Sequence, residues 1–196
     1  MSQDTYAKVF HLIDSAHGED PKKVTVNGKE TPYELLYSNK MSNYLEKRDP
    51  SASIVLQVAI RAQHLRRWEV PRDSYPMTKV GYHGWRTFLK KRQAELARQM
   101  CLDSGFQADE ADRVGHLIRK EDLKQDQETQ ILEDVACLVF LDDQFEQFET
   151  QHDEAKIISI LRKTWGKMTE RGHDLAFEIP MSDRCKELVT KAVSGD

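Results

Sequence analysis

Apolar residues recur three and four positions apart along most of the chain, and the strict alternation expected of strands is nearly absent. Val9, Leu12, Ile13 and Ala16 form one such stripe, and the helix they predict fails at HGEDP, where Gly18 and Pro21 interrupt it. KVTVNGK is the exception, a short alternating stretch in which Asn27-Gly28 suits a tight turn. Thr31-Pro32-Tyr33-Glu34 matches a capping box with proline at the first helical position, so YELLYSNKMSNYLEKR is predicted as a helix. Asp49 before Pro50 predicts the start of the next helix, which carries Ile54, Val55, Val58, Ala59 and Ala62. That helix is expected to end near Val70, because Pro71 disfavours helical geometry in the residue before it.

Residues 71–84, with two prolines and two glycines, read as a loop, followed by a long helix from about Trp85 to Leu102. ADEADRVGHLIRK reads as a shorter helix and QETQILEDVACLVFLDDQFEQFE as the most apolar, hence central, one. Asp153 caps EAKIISILRKTWGKMTERG, and Ser182 caps a last amphipathic segment at about 182–194. The expectation is an all-α fold: a single compact helical domain, residues 1–196, of about seven to eight helices.

Composition narrows the function classes. A chain of 196 residues with 39% hydrophobic content is long enough for one real core and short for two. Charged residues make up 32%, yet they nearly cancel to a net −4, so no general nucleic-acid or anionic-membrane binding is expected and any anion recognition must be local. Cys101, Cys137 and Cys185 are odd in number and widely spaced, which argues against a disulfide scaffold or a structural zinc. The longest apolar run, VACLVFL, is far below the ~18 residues a membrane span needs. MSQDTYAKVF lacks the charged start and apolar stretch of a secretory signal, so a soluble, cytoplasmic protein is expected.

Three constellations carry candidate chemistry. On a helix running to Val70, His64 shares a face with Ile60, Arg61, Arg67 and Trp68, which interleaves cations with apolar positions and suggests a partly buried polar cavity. The alternative is a pair of solvated arginines beside a core histidine with its polar atoms satisfied. Glu133 and Asp134 enter a helix whose next seven residues are apolar, so at least one carboxylate starts inside the domain. There it needs an arginine, a lysine or a metal, and a buried Arg/Asp pair that only fixes helix packing would satisfy it equally. In SYPMTKVGYHGWR, the combination of Lys79, Tyr82, His83, Trp85 and Arg86 pairs cations with flat rings, as a phosphate, carboxylate or nucleotide ligand requires. The alternative there is an ordered loop whose aromatics fill the core. His152-Asp153 and His173-Asp174 are isolated dipeptides, and no phosphate-cradling P-loop, nucleophile elbow or HExxH is present.

The blocks ELLYSNKMSNYLEKRDPSAS, AIRAQHLRRWEVPRDSYP, GYHGWRTFLKKRQAELA, LKQDQETQILEDVACLVFL and ILRKTWGKMTERGHDLA resemble those of the domain of unknown function 4202 family, over about residues 5–176. That likeness names no reaction. The order of a histidine-bearing helix, a long helix, a short helix and an acidic-started helix is also similar to the HD-domain metal-dependent phosphohydrolases. Their late metal-binding aspartate maps onto Asp134 and their early histidine onto His64, although Leu65 stands where the family's aspartate follows.

This likeness implies a hydrolase acting on a phosphorylated or otherwise anionic small molecule. His64 and Asp134 would hold a divalent metal (manganese, iron, zinc or magnesium) or act as acid and base, with Glu69 and Glu133 orienting ligands or accepting protons. Arg66, Arg67, Arg72, Lys79, Arg86 and Lys120 would contact the anion, and Trp68, Tyr82 or Trp85 its ring. Two further readings stand beside it: a module that binds an anionic metabolite or partner without chemistry, and an HD-like iron-dependent oxygenase.

Overall fold

A computed structural model describes residues 3–194. The protein is all-α, with ten α-helices and one two-stranded hairpin among the described residues. The hairpin, β1 (Lys23–Val26) and β2 (Lys29–Pro32), closes through Asn27 and Gly28, both left-handed at φ 50° and 77°. It joins α1 (Gln3–Gly18) to α2 (Tyr33–Arg48). Thr31 does not cap α2, because it pairs with Val24 in the hairpin. Asp20 performs that role from outside the helix, its carboxylate accepting from the Glu34 N–H at 2.9 Å and from the Lys22 N–H at 2.9 Å.

The third helix, α3 (Ile54–Arg61), differs at both ends from the expectation. It starts after Ser53, whose hydroxyl accepts from the Leu56 N–H, while the Asp49 carboxylate is taken by Ser51. It stops at Arg61, nine residues before Val70. The Arg61 carbonyl, freed at the helix end, lies 3.0 Å from Nε2 of His17 on α1, a partner 44 residues away. The chain then turns through left-handed His64 (φ 63°) and Arg66 (φ 50°), which bracket the fully buried Leu65. Single 3₁₀ turns follow at Arg67–Glu69 and Arg72–Ser74.

The long helix α4 (Lys79–Ser104) begins six residues before Trp85, capped by Thr78, so most of the aromatic and basic stretch is its first turns. Gly81 allows this approach: a Cβ there would sit 2.1 Å from the Pro76 carbonyl oxygen. α5 (Ala108–Arg119) and α6 (Gln127–Val139) follow. Two segments expected as single helices are each divided. A five-residue π turn, Phe140–Gln144, separates α6 from α7 (Phe145–Glu149). α8 (Glu154–Trp165) ends before Gly166, and Thr169 caps a new helix, α9 (Glu170–Phe177). Asp153 caps α8 as expected, and Ser182 accepts from Cys185 at the start of α10 (Asp183–Ser194).

α6 is central: Leu132, Val135, Leu138 and Val139 have no exposed surface, and the helix packs on α2, α3, α5 and α9. One connected apolar core runs from Val9 on α1 to Ala192 on α10. No helix among the described residues is long and apolar enough to cross a membrane.

Candidate functional site

Both carboxylates that open α6 are buried, but they meet different surroundings. Asp134 has no exposed surface and is fully engaged where α2, α6 and α9 meet. Its Oδ2 accepts from Arg48 Nε at 2.8 Å and from the Thr169 hydroxyl at 2.5 Å; its Oδ1 accepts from the Thr169 N–H at 2.8 Å and from Gln130 at 3.4 Å. Arg48 also reaches the Thr169 hydroxyl at 3.3 Å, which closes the network. This is the buried Arg/Asp pair that fixes helix packing, the arginine coming from the last turn of α2.

Glu133, its neighbour, faces the other way, into a group of cations. Lys120, left-handed at the C-terminus of α5, donates to one of its oxygens, and Lys167 lies 3.4 Å from the other. Burial alone would raise this carboxyl; Lys120 and then Lys167 overcome that and hold it at about 2.

The turn after α3 brings His64 to the same region. Its ring stacks on Tyr37 of α2, centroids 4.2 Å apart and 15° from parallel. Arg67 Nη1 reaches Nε2 at 2.7 Å and Nδ1 at 3.3 Å. A guanidinium only donates, so the closer nitrogen, Nε2, is the acceptor and the ring proton is assigned to Nδ1, 3.3 Å from Glu34 Oε2. That approach is too poorly aligned to bond, and Glu34 Oε2 is buried without a hydrogen-bond partner. Burial, reinforced by Arg67 and Arg86, holds the imidazole pKa well below its ordinary value, so His64 is neutral. Burial also pushes the Glu34 carboxyl up to about 7, Arg67 opposing and Asp20 adding to the rise.

α4 supplies the facing wall. Arg86, Lys90 and Gln93, four and three residues apart, share one face of the helix. Neither Arg86 nor Lys90 has a hydrogen bond or an ion pair among the described residues. The Gln93 amide nitrogen is buried and likewise unpartnered. Burial lowers the Lys90 amine, and Lys120, Arg86 and Lys167 lower it further against the single pull of Glu133. Arg67, which lies 4.9 Å over the Trp85 ring, is also lowered by burial first and by Arg86 second. Arg67, Arg86, Lys90 and Lys120 are thus half-buried and within electrostatic reach of one another, with exposed Lys167 beside them and Glu34 and Glu133 as the carboxylates that act on them.

Of the residues singled out in the sequence, the structure gathers His64, Arg67, Arg86, Lys120 and Glu133 here. Trp85 forms the floor: it is buried, donates to the Val70 carbonyl at 2.9 Å, and offers no free face for ring stacking. Glu69 and Arg66 lie outside, Glu69 between Arg66 and Arg92, and Arg66 also 2.7 Å from Glu19. Arg72 is spent on the loop, donating to the carbonyls of Tyr75, Pro76 and Thr78, while half-exposed Tyr82 sits near it at the rim. Lys79 is exposed at the start of α4, and Trp68 is half-buried in the 3₁₀ turn. Arg61 pairs with Asp14 at 2.7 Å.

His64 and Asp134 share no partner: His64 meets Arg67 and Tyr37 in the turn after α3, while Asp134 is held by Arg48, Gln130 and Thr169. Glu34, Tyr37, Lys90, Gln93 and Lys167 join the site without having stood out in the sequence. No local signal marks them, since polar and charged residues are frequent all along α4 and the other three lie at ordinary positions of their segments.

The donor set does not fit a divalent metal. Both oxygens of Asp134 are committed to Thr169, Arg48 and Gln130, and Nε2 of His64 is committed to Arg67. Among the described residues no three His, Cys, Asp or Glu side chains surround a common point. A shallow hollow of about 520 Å³ between α4 and α5 offers no better site, since its charges are already paired, Arg98 with Asp112 and Arg113 with Asp126 and Glu128.

Fold and cluster together define an all-α protein with a half-buried, incompletely neutralised cationic site. The chain belongs to the DUF4202 family, described as a domain of unknown function, whose family model matches residues 7–189. No match was found among the curated proteins or among the solved structures.

Proposed function

We propose that this protein binds a small anionic metabolite, bearing phosphate or carboxylate groups, in the cluster of His64, Arg67, Arg86, Lys90 and Lys120. The observation that carries the reading is the charge imbalance. Buried or half-buried cations are ordinarily paired, and among the described residues Arg86 and Lys90 have no partner while Glu133 is already shared by two lysines. An anion entering the space would gain charge-assisted hydrogen bonds and offset the repulsion from Arg86 that, after burial, lowers Arg67. The metal-dependent hydrolase reading is not favoured, because it requires His64 and Asp134 on one ion and their donor atoms serve separate networks. A cytoplasmic location suits a metabolite-binding role, and Cys101, Cys137 and Cys185 are all free and buried.

The test is thermal unfolding of the purified protein in a series of inorganic phosphate and pyrophosphate concentrations, with matched ionic strength in chloride. At a hundredfold excess over Kd a ligand stabilises by about 2.7 kcal/mol, an easily measured rise. The rise should vanish in Arg86→Met. A Tm that follows ionic strength alone, for every anion tried, would sink the proposal.

A further inference from the structure

Lys90 has a combination of features that anion binding alone does not need. It sits mid-helix on α4, half-buried, one turn from Arg86 and within electrostatic reach of Lys120, and the one carboxylate that pulls on it strongly, Glu133, is already held by Lys120 and Lys167. Burial first, and then the charges of Lys120, Arg86 and Lys167, favour its neutral amine over the ammonium. Its next neighbour in sequence, Lys91, is exposed and serves as an internal control. A lysine amine surrounded by cations and partly desolvated is the recognised arrangement for a nitrogen nucleophile that attacks carbonyl carbon.

From this placement we infer that Lys90 is a nucleophilic amine that forms an imine with a small aldehyde or ketone carrying a phosphate or carboxylate group. The inference rests on the anion-binding reading above, since Arg67, Arg86 and Lys120 must hold the charged end of the ligand. The step balances without an oxidant or reductant. The Lys90 ammonium releases one proton; its lone pair attacks the carbonyl carbon while the carbonyl π pair moves to oxygen. A proton passes from nitrogen to that oxygen to give a carbinolamine. The released proton returns as the hydroxyl leaves as water, so ammonium plus carbonyl becomes protonated imine plus water. The same positive field has two uses: it favours the free amine at the start, and it stabilises the alkoxide that develops on the carbonyl oxygen.

The experiment uses pyridoxal 5′-phosphate, a phosphorylated aldehyde, as probe on the full chain. The mixture is trapped with sodium borohydride and the labelled lysine is located by peptide mass mapping. Pyridoxal, which lacks the phosphate, and Lys90→Arg are run in parallel. The expected result is label on Lys90 in preference to Lys91, Lys79 and every other lysine. That label should be strongly reduced with pyridoxal, blocked by pyrophosphate, and lost in Lys90→Arg, whose cooperative thermal unfolding shows that it is folded. Label spread evenly over exposed lysines, or centred on Lys120, overturns the assignment of Lys90. If Lys90 stays unlabelled while pyrophosphate still raises Tm, the nucleophile is wrong and the anion site stands. If pyrophosphate neither stabilises nor protects, the anion site itself fails, and the substrate class falls with it.

Discussion

Two polar networks lie inside this helical protein, both reaching α6, and they are built on opposite terms. Around Asp134 every acceptor is used: one arginine, one threonine and one glutamine satisfy a carboxylate that has no contact with water. Around His64, Arg86 and Lys90 the pairing does not close. Among the described residues, Glu34 Oε2 and Gln93 Nε2 are buried without partners and Arg86 and Lys90 have none. The adjoining chain from His64 to Ser74 adopts left-handed and 3₁₀ turns in place of regular helix. Satisfied buried polar groups fix packing, whereas unsatisfied ones call for a further partner, an ordered water or a ligand. The adjacent residues Glu133 and Asp134 show how one helical step of about a hundred degrees assigns two carboxylates to these two roles.

The comparison can be broken most severely at Asp134. Asp134→Ala strands Arg48 against the core and should cost about 3–5 kcal/mol in urea unfolding. A loss below about 1 kcal/mol would mean the pair is not structural.

Glu34 tests the other network through pH. Its folded pKa, about 7, lies above the ordinary 4.5, so the unfolded chain releases the proton first as pH rises. Its contribution to stability should therefore fall between about pH 4.5 and 7 and level off above, by roughly 1.4 kcal/mol for each pH unit crossed, while buried His64 and His17, held low, act in the opposite sense in wild type and variant alike. Glu34→Gln should remove that fall and be the more stable protein at pH 8, by up to about 3 kcal/mol. Glu133, held near 2, has the opposite sign: the stability it contributes is present above 4.5 and is lost as pH drops toward 2. Denaturant unfolding of wild type and Glu34→Gln at pH 5 and pH 8 decides it, and parallel curves at both pH values would show Glu34 to be ordinary.

Gly172→Ala presses on the satisfied network, since a Cβ there would meet Asp134 Cγ and Oδ1 at 2.9 Å. The expected cost is about 1–3 kcal/mol, read by thermal unfolding, with phosphate stabilisation intact. The smallest effect on the free protein is expected from Arg86→Met, within about 0.5 kcal/mol of wild type, although it should abolish the phosphate response. A large destabilisation by this change would place Arg86 with the structural group and erase the contrast.

How much of this is legible in the sequence differs by element. The helical class, the hairpin turn at Asn27-Gly28 and the caps at Asp153 and Ser182 follow from spacing and from side chains that bond their own local backbone. Helix ends set by distant partners do not follow from such local signals. Pro71 points to a stop at Val70, but α3 stops at Arg61, where His17 of α1 meets the freed carbonyl and buried Leu65 draws the chain inward. Thr31 has the spacing of a cap for α2, and Asp20 does that work across the hairpin. Of the candidate residues, Arg67, Arg86, Lys120 and Glu133 are visible because cations and carboxylates inside apolar stretches are conspicuous. Lys90 and Glu34 are not, since each sits at an unremarkable position in an amphipathic helix.

The sequence by itself determined that the chain is helical, which faces are apolar, and that some charge must go inside, because periodicity and desolvation act through each residue's own chemistry. Only the tertiary structure decided which arginine meets which carboxylate, leaving Arg48 on Asp134 and Arg86 with no partner among the described residues. Pairing inside a core depends on helix ends and crossings set by contacts tens of residues apart, and it is long-range packing that separates a closed ion pair from an open, cationic site.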